Sequence, residues 1–194
     1  MGSKQPPAET TEITETLKRA AAALRGADVP FALAGSVAAW ARGGPSPCND
    51  LDFAIREEDA DRAERALADY GMRTERPPEG WLLKAWDGNV LVDLIFDPRG
   101  GPIDDKWFER ADELDVYAVT MLVASLDDVL VTKLLALTEQ NLDYSSVLET
   151  ARAVREQLDW DDVRARCEGS PYAKAFLMLV EELGIAPAAS PSGS

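Results

Sequence analysis

Residues 49–53 read NDLDF: two acids with a leucine between them and a phenylalanine after, in a segment otherwise built for burial. On a strand, successive side chains point to opposite faces, so Asp50 and Asp52 share one face while Leu51 and Phe53 share the other. Two carboxylates whose backbones stand about 6–7 Å apart repel one another. Either that face is open to water, or a cation sits between them. For a lone Asp-x-Asp in an acidic chain a solvated face is the plainer reading, so the neighbouring sequence decides.

Upstream, Ala34-Gly35-Ser36 closes an apolar strand expected over 29–34 and opens a brief helix over 37–42. Free main-chain N–H groups at such a junction favour an anion, and glycine lets a phosphate approach the backbone. Ser36 there is either a hydroxyl ligand or a plain helix cap. Downstream, VLVDLIF at 90–96 holds Asp93 as its single charge, with Leu91 and Ile95 on its own face. A carboxylate among apolar neighbours is costly unless satisfied, so Asp93 is a ligand or an edge-strand charge that blocks aggregation.

The remaining pattern is α+β. Residues 10–26 have helical spacing and stop at Gly26, and residues 57–70 form a charged amphipathic helix stopped at Gly71. Asp87-Gly88 joins strands 81–86 and 90–96 as a hairpin, 116–124 is a further strand or strand pair, and 43–49 is a loop. Ser125 followed by Asp128 is a capping signal for a helix over 126–140, and helices follow over 144–158, 161–167 and 171–183. The expected organisation is a small mixed sheet with flanking helices over 9–124 and a helical bundle over 125–184. Residues 1–8 and 185–194 are expected to be disordered.

The chain has 194 residues and no histidine, which excludes Ser-His-Asp and Cys-His catalysis. Any metal would be held by oxygens, which means magnesium, manganese or calcium. Cys48 and Cys167 form no zinc or disulfide pattern, no run is apolar enough to span a bilayer, and residues 1–16 are polar with no apolar h-region, so export is not expected. A reducing cytoplasm is the expected setting. Thirty-five acids against 20 bases leave a net charge of −15, which repels nucleic acid unless a local basic groove overrides the field, and favours a cationic partner. Trp81, Trp86, Trp107 and Trp160 are scattered and read as core and rim packing. Arg42 reads as a surface residue that could reach a phosphate. Arg152, Arg155, Arg164 and Arg166 read as salt-bridged helix faces or the lining of an acceptor groove.

Taken together, Ala34-Gly35-Ser36, a 13-residue spacer, Asp50-Leu51-Asp52-Phe53 and then Val92-Asp93-Leu94 resemble the polymerase-β-like nucleotidyltransferase superfamily. The segment at 124–137, ASLDDVLVTKLLAL, is similar to that of bacterial minimal and AbiEii-like (MenT-like) members. The resemblance implies transfer of a nucleoside monophosphate from an NTP to an acceptor, with Mg2+ or Mn2+ on Asp50, Asp52 and Asp93. It implies that Asp93 accepts or orients the acceptor's proton, that Gly35 and Ser36 cradle phosphates, and that Lys133 contacts them. Asp143 is the nearest match to a further acid of the AbiEii-like site. The implied acceptor is a cationic small molecule, a tRNA or a protein, with an antitoxin as a further partner. The alternative is a non-catalytic nucleotide-binding or partner-binding relative.

Overall fold

The computed structural model describes residues 8–47, 50–78 and 80–188, so the expected disorder of 1–7 and 189–194, and the end of the loop at Cys48-Asn49, lie outside it. Seven strands form one mixed sheet in the order β3-β4-β5-β2-β1-β7-β6. They are β1 (Phe31–Ala34), β2 (Asp50–Ile55), β3 (Arg73–Glu75), β4 (Leu82–Asp87), β5 (Val90–Ile95), β6 (Asp112–Val116) and β7 (Val119–Val123). Helices α1 (Ala8–Gly26) and α3 (Ala60–Asp69) pack on one face, over the buried Leu51, Phe53, Leu83, Val92 and Leu94. That alternation is the period-2 pattern of NDLDF and VLVDLIF carried into space: apolar residues inward, acids on the other face.

Register then places the chemistry. β1 and β2 run antiparallel with Ala34 opposite Asp52, and β2 and β5 run parallel with Asp52 opposite Asp93. β4 and β5 run antiparallel with Lys84 opposite Asp93. Lys84, Asp93, Asp52 and Ala34 therefore lie in one row across four strands on the face that α1 and α3 leave uncovered.

Beyond α2 (Gly35–Ala41) and α4 (Asp105–Glu109), four helices build a second core: α5 (Leu126–Leu135), α6 (Ser145–Val154), α7 (Trp160–Arg166) and α8 (Pro171–Glu182). Helix α5 joins the two cores, because Val129 packs with the sheet core while Leu126, Leu130 and Leu134 pack with the bundle. Ile185 and Ala186, expected in the tail, are buried in this bundle.

The sequence pattern misses the short or unsignalled elements. β3 and α4 have three and five residues, too few to show a period. The strand pair at 112–123 turns at Tyr117 and Ala118, whose φ values of 50° and 63° fit a hairpin turn normally marked by Gly or Asn. Helix α5 ends at Leu135, five residues before the expected stop.

Asp128 fastens α5. The Ser125 hydroxyl caps the helix, accepting from the Asp128 amide at 3.1 Å and donating to the Asp128 carboxylate at 2.7 Å. That carboxylate, 1% exposed, also receives Arg110 at 2.8–2.9 Å and Arg166 from α7. Burial acts to raise its pKa, but hydrogen bonds from Arg110, Ser125 and Arg166 outweigh it and hold the group below the usual carboxylate value. Removing one partner from a buried charge cluster leaves the rest uncompensated, so Asp128→Ala is expected to lower stability by about 3–5 kcal/mol in urea unfolding. The wild-type contribution is complete above the ordinary carboxylate pKa and is lost as pH falls through the lowered folded value. An acid titration of the urea midpoint should show this slope, and Asp128→Asn should flatten it.

Candidate active site

The turn after β1 and the first half of β2 compete for the same space. Gly35 takes φ +59°, and a Cβ built on it would stand 1.7 Å from Asp52 Oδ2 and 2.6 Å from its Cγ. Only glycine satisfies both the left-handed backbone and the carboxylate beside it. Ser36 follows half-buried at the start of α2, but it is not the helix cap: that position is Ala34, with no side-chain cap bond.

Asp50 is exposed, and Asp52 and Asp93 are half-buried. Burial, then the charge of Asp93, raise the Asp52 carboxyl; Lys133 opposes this, Asp50 adds to it and Lys84 opposes it, leaving a pKa of about 6. Asp93 is raised too, mainly by burial and against the hydrogen bond from Lys84. Among the described residues Asp52 and Asp50 have no ion-pair partner, whereas Lys84 Nζ stands 3.1 Å from Asp93 Oδ1. Lys84 is the site residue that sequence reasoning missed, and the hairpin carried the signal. A two-residue turn at Gly88-Asn89 pairs Asp87 with Val90 and so Lys84 with Asp93; a turn at Asp87-Gly88 sets the pairing two residues away.

The oxygen-only donor set and the uncompensated charge at Asp52 fit a hard divalent cation. Yet among the described residues no group of three acids, cysteines or histidines is drawn together as a metal cluster. Asp93 is turned toward Lys84.

Beside this row lies a cavity of about 190 Å³ lined by Gly35, Asp52, Ile95, Val129 and Lys133, with Trp81 and Trp107 as walls. Lys133 of α5 thus comes to the acids from a different layer. The two tryptophans, expected to serve packing alone, are cleft walls as well. Arg42 does not reach the acids: it donates to the carbonyls of Ala124 and Val123 at 2.7 and 2.8 Å and pairs with Asp112. Asp143 is exposed, accepts from the Ser145 amide at 2.8 Å and does not line the cavity. Arg164 pairs with Asp161 and Glu181, and Arg155 with Glu156, as the salt-bridged reading expects.

No protein-family model and no curated protein matches the chain. Its fold is that of solved nucleotidyltransferases. The solution structure of the antibiotic-resistance factor ANT(2'')-Ia superposes with a TM-score of 0.63 at 17% identity, covering 90% of this chain and 99% of that one. A crystal structure of ANT(2'')-Ia with adenylyl-2''-tobramycin also gives 0.63, at 14% identity, with 84% and 98% covered. At these identities the likeness is one of fold. Among the described residues no helix is long and apolar enough to cross a membrane.

Two outcomes follow from the crowding at Asp52. Gly35→Ala forces a methyl onto the carboxylate and is expected to lower the melting temperature by several degrees and to displace Asp52, read by its NMR chemical shift. In metal-free protein the raised Asp52 pKa means that ionisation favours the unfolded chain. Its contribution to stability declines as pH rises from 3.8 to about 6 and stays low above that. Asp52→Asn is expected to raise the melting temperature at neutral pH and to abolish that slope.

Proposed function

We propose that the protein transfers a nucleoside monophosphate from an NTP to an acceptor, releasing pyrophosphate. The observation that carries this is the row in which Asp52 and Asp93 stand side by side in register, with Gly35 pressed against Asp52 and Lys133 lining the same cavity as Asp52. Magnesium or manganese, when bound, supplies charge stabilisation at the phosphoryl oxygens, and Asp50, Asp52 and Asp93 are the residues that would hold it.

The chain's own residues supply position and charge. The Cβ side of Gly35 is filled by the Asp52 carboxylate, so a phosphate at this turn would meet the main-chain amides and the Ser36 hydroxyl at the start of α2, and Lys133 adds a cation. Trp81, Trp107 and Val129 offer apolar walls to a base or an acceptor ring. In the reaction an acceptor oxygen forms a bond to the α-phosphorus, the bond to the bridging oxygen breaks, and pyrophosphate leaves. Asp93, oriented by Lys84, takes up the acceptor's proton at a carboxylate oxygen.

One observation favours a second reading, in which the chain binds nucleotide without transferring it: the Lys84 ammonium stands where Asp93 would otherwise face a metal. Incubation with labelled NTPs, Mg2+ or Mn2+ and cell lysate separates the two. Transfer of label to an acceptor is expected, with Asp52→Asn lowering the rate by about a thousandfold while remaining folded. Melting shifts with NTP but no labelled product would support the binding-only reading, and absence of both would overturn nucleotide chemistry altogether.

A further inference from the structure

The chain carries a net charge of −15, yet one hollow in it is basic. Past Trp107 and Thr132, which line both spaces, the cleft continues into a pocket of about 270 Å³. Its charged lining is Arg99, Lys106, Arg110 and Arg166 against a single acid, Asp104. The Asp104 carboxylate is already engaged, capping α4 by accepting from the Trp107 amide at 2.9 Å. Arg110 and Arg166 have a structural role on Asp128, but they share that one carboxylate, and Arg166 also pairs with Asp162. Arg99 and Lys106 have no ion-pair partner among the described residues. Four cations around one concavity repel each other, and nothing in the fold requires the two unpaired ones to be there.

We propose that this pocket is an anion subsite that binds a phosphate or carboxylate group of the acceptor. Its assignment to the acceptor rests on the nucleotidyl-transfer reading; its binding of an anion does not. The pocket shares none of Gly35, Asp52 or Lys133 with the cavity assigned to the nucleotide, so the NTP phosphates have a separate seat. A cavity of about 150 Å³ shares Pro98, Arg99 and Thr132 with the basic pocket and Trp81, Thr132 and Ala136 with the other, so one molecule can reach from the basic pocket toward Asp52. The overall negative field favours a cationic partner, but low-dielectric walls focus the local field, and here it is positive. The acceptor is then an anionic molecule rather than a polycation.

Calorimetric titration of metal-free, nucleotide-free protein with inorganic phosphate, citrate and spermidine tests this. Phosphate or citrate is expected to bind and spermidine not, the stronger of the two anions naming the acceptor's group. The double variant Arg99→Ser/Lys106→Ser, at exposed positions, should keep its melting temperature and weaken anion binding roughly tenfold to hundredfold. Arg99→Lys/Lys106→Arg should restore most of it. Unchanged anion affinity in the serine variant would overturn the site. Equal loss of the NTP-induced melting shift in that variant would overturn its assignment to the acceptor, since the pocket would then seat the nucleotide's own phosphates. Nucleotide transfer is not read in these titrations, so the two proposals fail separately.

Discussion

A carboxylate oxygen occupies the space where residue 35 would carry its side chain. That steric constraint organises the open face of the sheet. Antiparallel pairing of β2 with β1 sets Asp52 at that height, and the carboxylate there then requires glycine at the end of β1. Parallel pairing with β5 then brings a second carboxylate opposite the first. Burial of Asp52, and after it the charges of Asp93 and Asp50, is unfavourable to the fold, and the raised pKa of Asp52 expresses that. Local destabilisation of this kind is what a site arranged for a ligand carries, and it is in keeping with the function proposed.

The stabilising electrostatics lie elsewhere. Asp128 is buried as well, yet its pKa is lowered because two guanidinium groups and a hydroxyl satisfy it, whereas Asp52 has no ion-pair partner among the described residues. The contrast separates a structural acid from a site acid by partners, not by burial. The Asp128 cluster also fixes α5 against α4 and α7, so the helix that presents Lys133 to the cavity is held by the same arginines that line the basic pocket. Site geometry and bundle stability are coupled through that one residue.

Much of the sheet is legible along the chain because its strands alternate cleanly. Leu51 and Phe53 turn inward, Asp50 and Asp52 outward, and a helix starts where Ser125 meets Asp128. What resists reading is short or long-range. β3 and α4 have too few residues for a period, and the Tyr117-Ala118 turn lacks the residues that usually mark it. Lys84 was one turn register from being visible, since the position of a two-residue loop decides which residue faces Asp93. The tryptophans could not be placed because nothing in their spacing tells a cleft wall from a core filler.

By itself, the sequence determined the α+β class, the shared face of Asp50 and Asp52, and the absence of histidine chemistry, because strand alternation and composition are local properties. Tertiary structure alone decided that Asp52 and Asp93 sit in register, that Lys84 holds Asp93, and that Lys133 and Asp52 line one cavity. It also decided that an acidic chain gathers four cations around one hollow. Each of these depends on strand order and helix packing between residues distant in the chain, and net charge, being a sum, carries no record of where the charges lie.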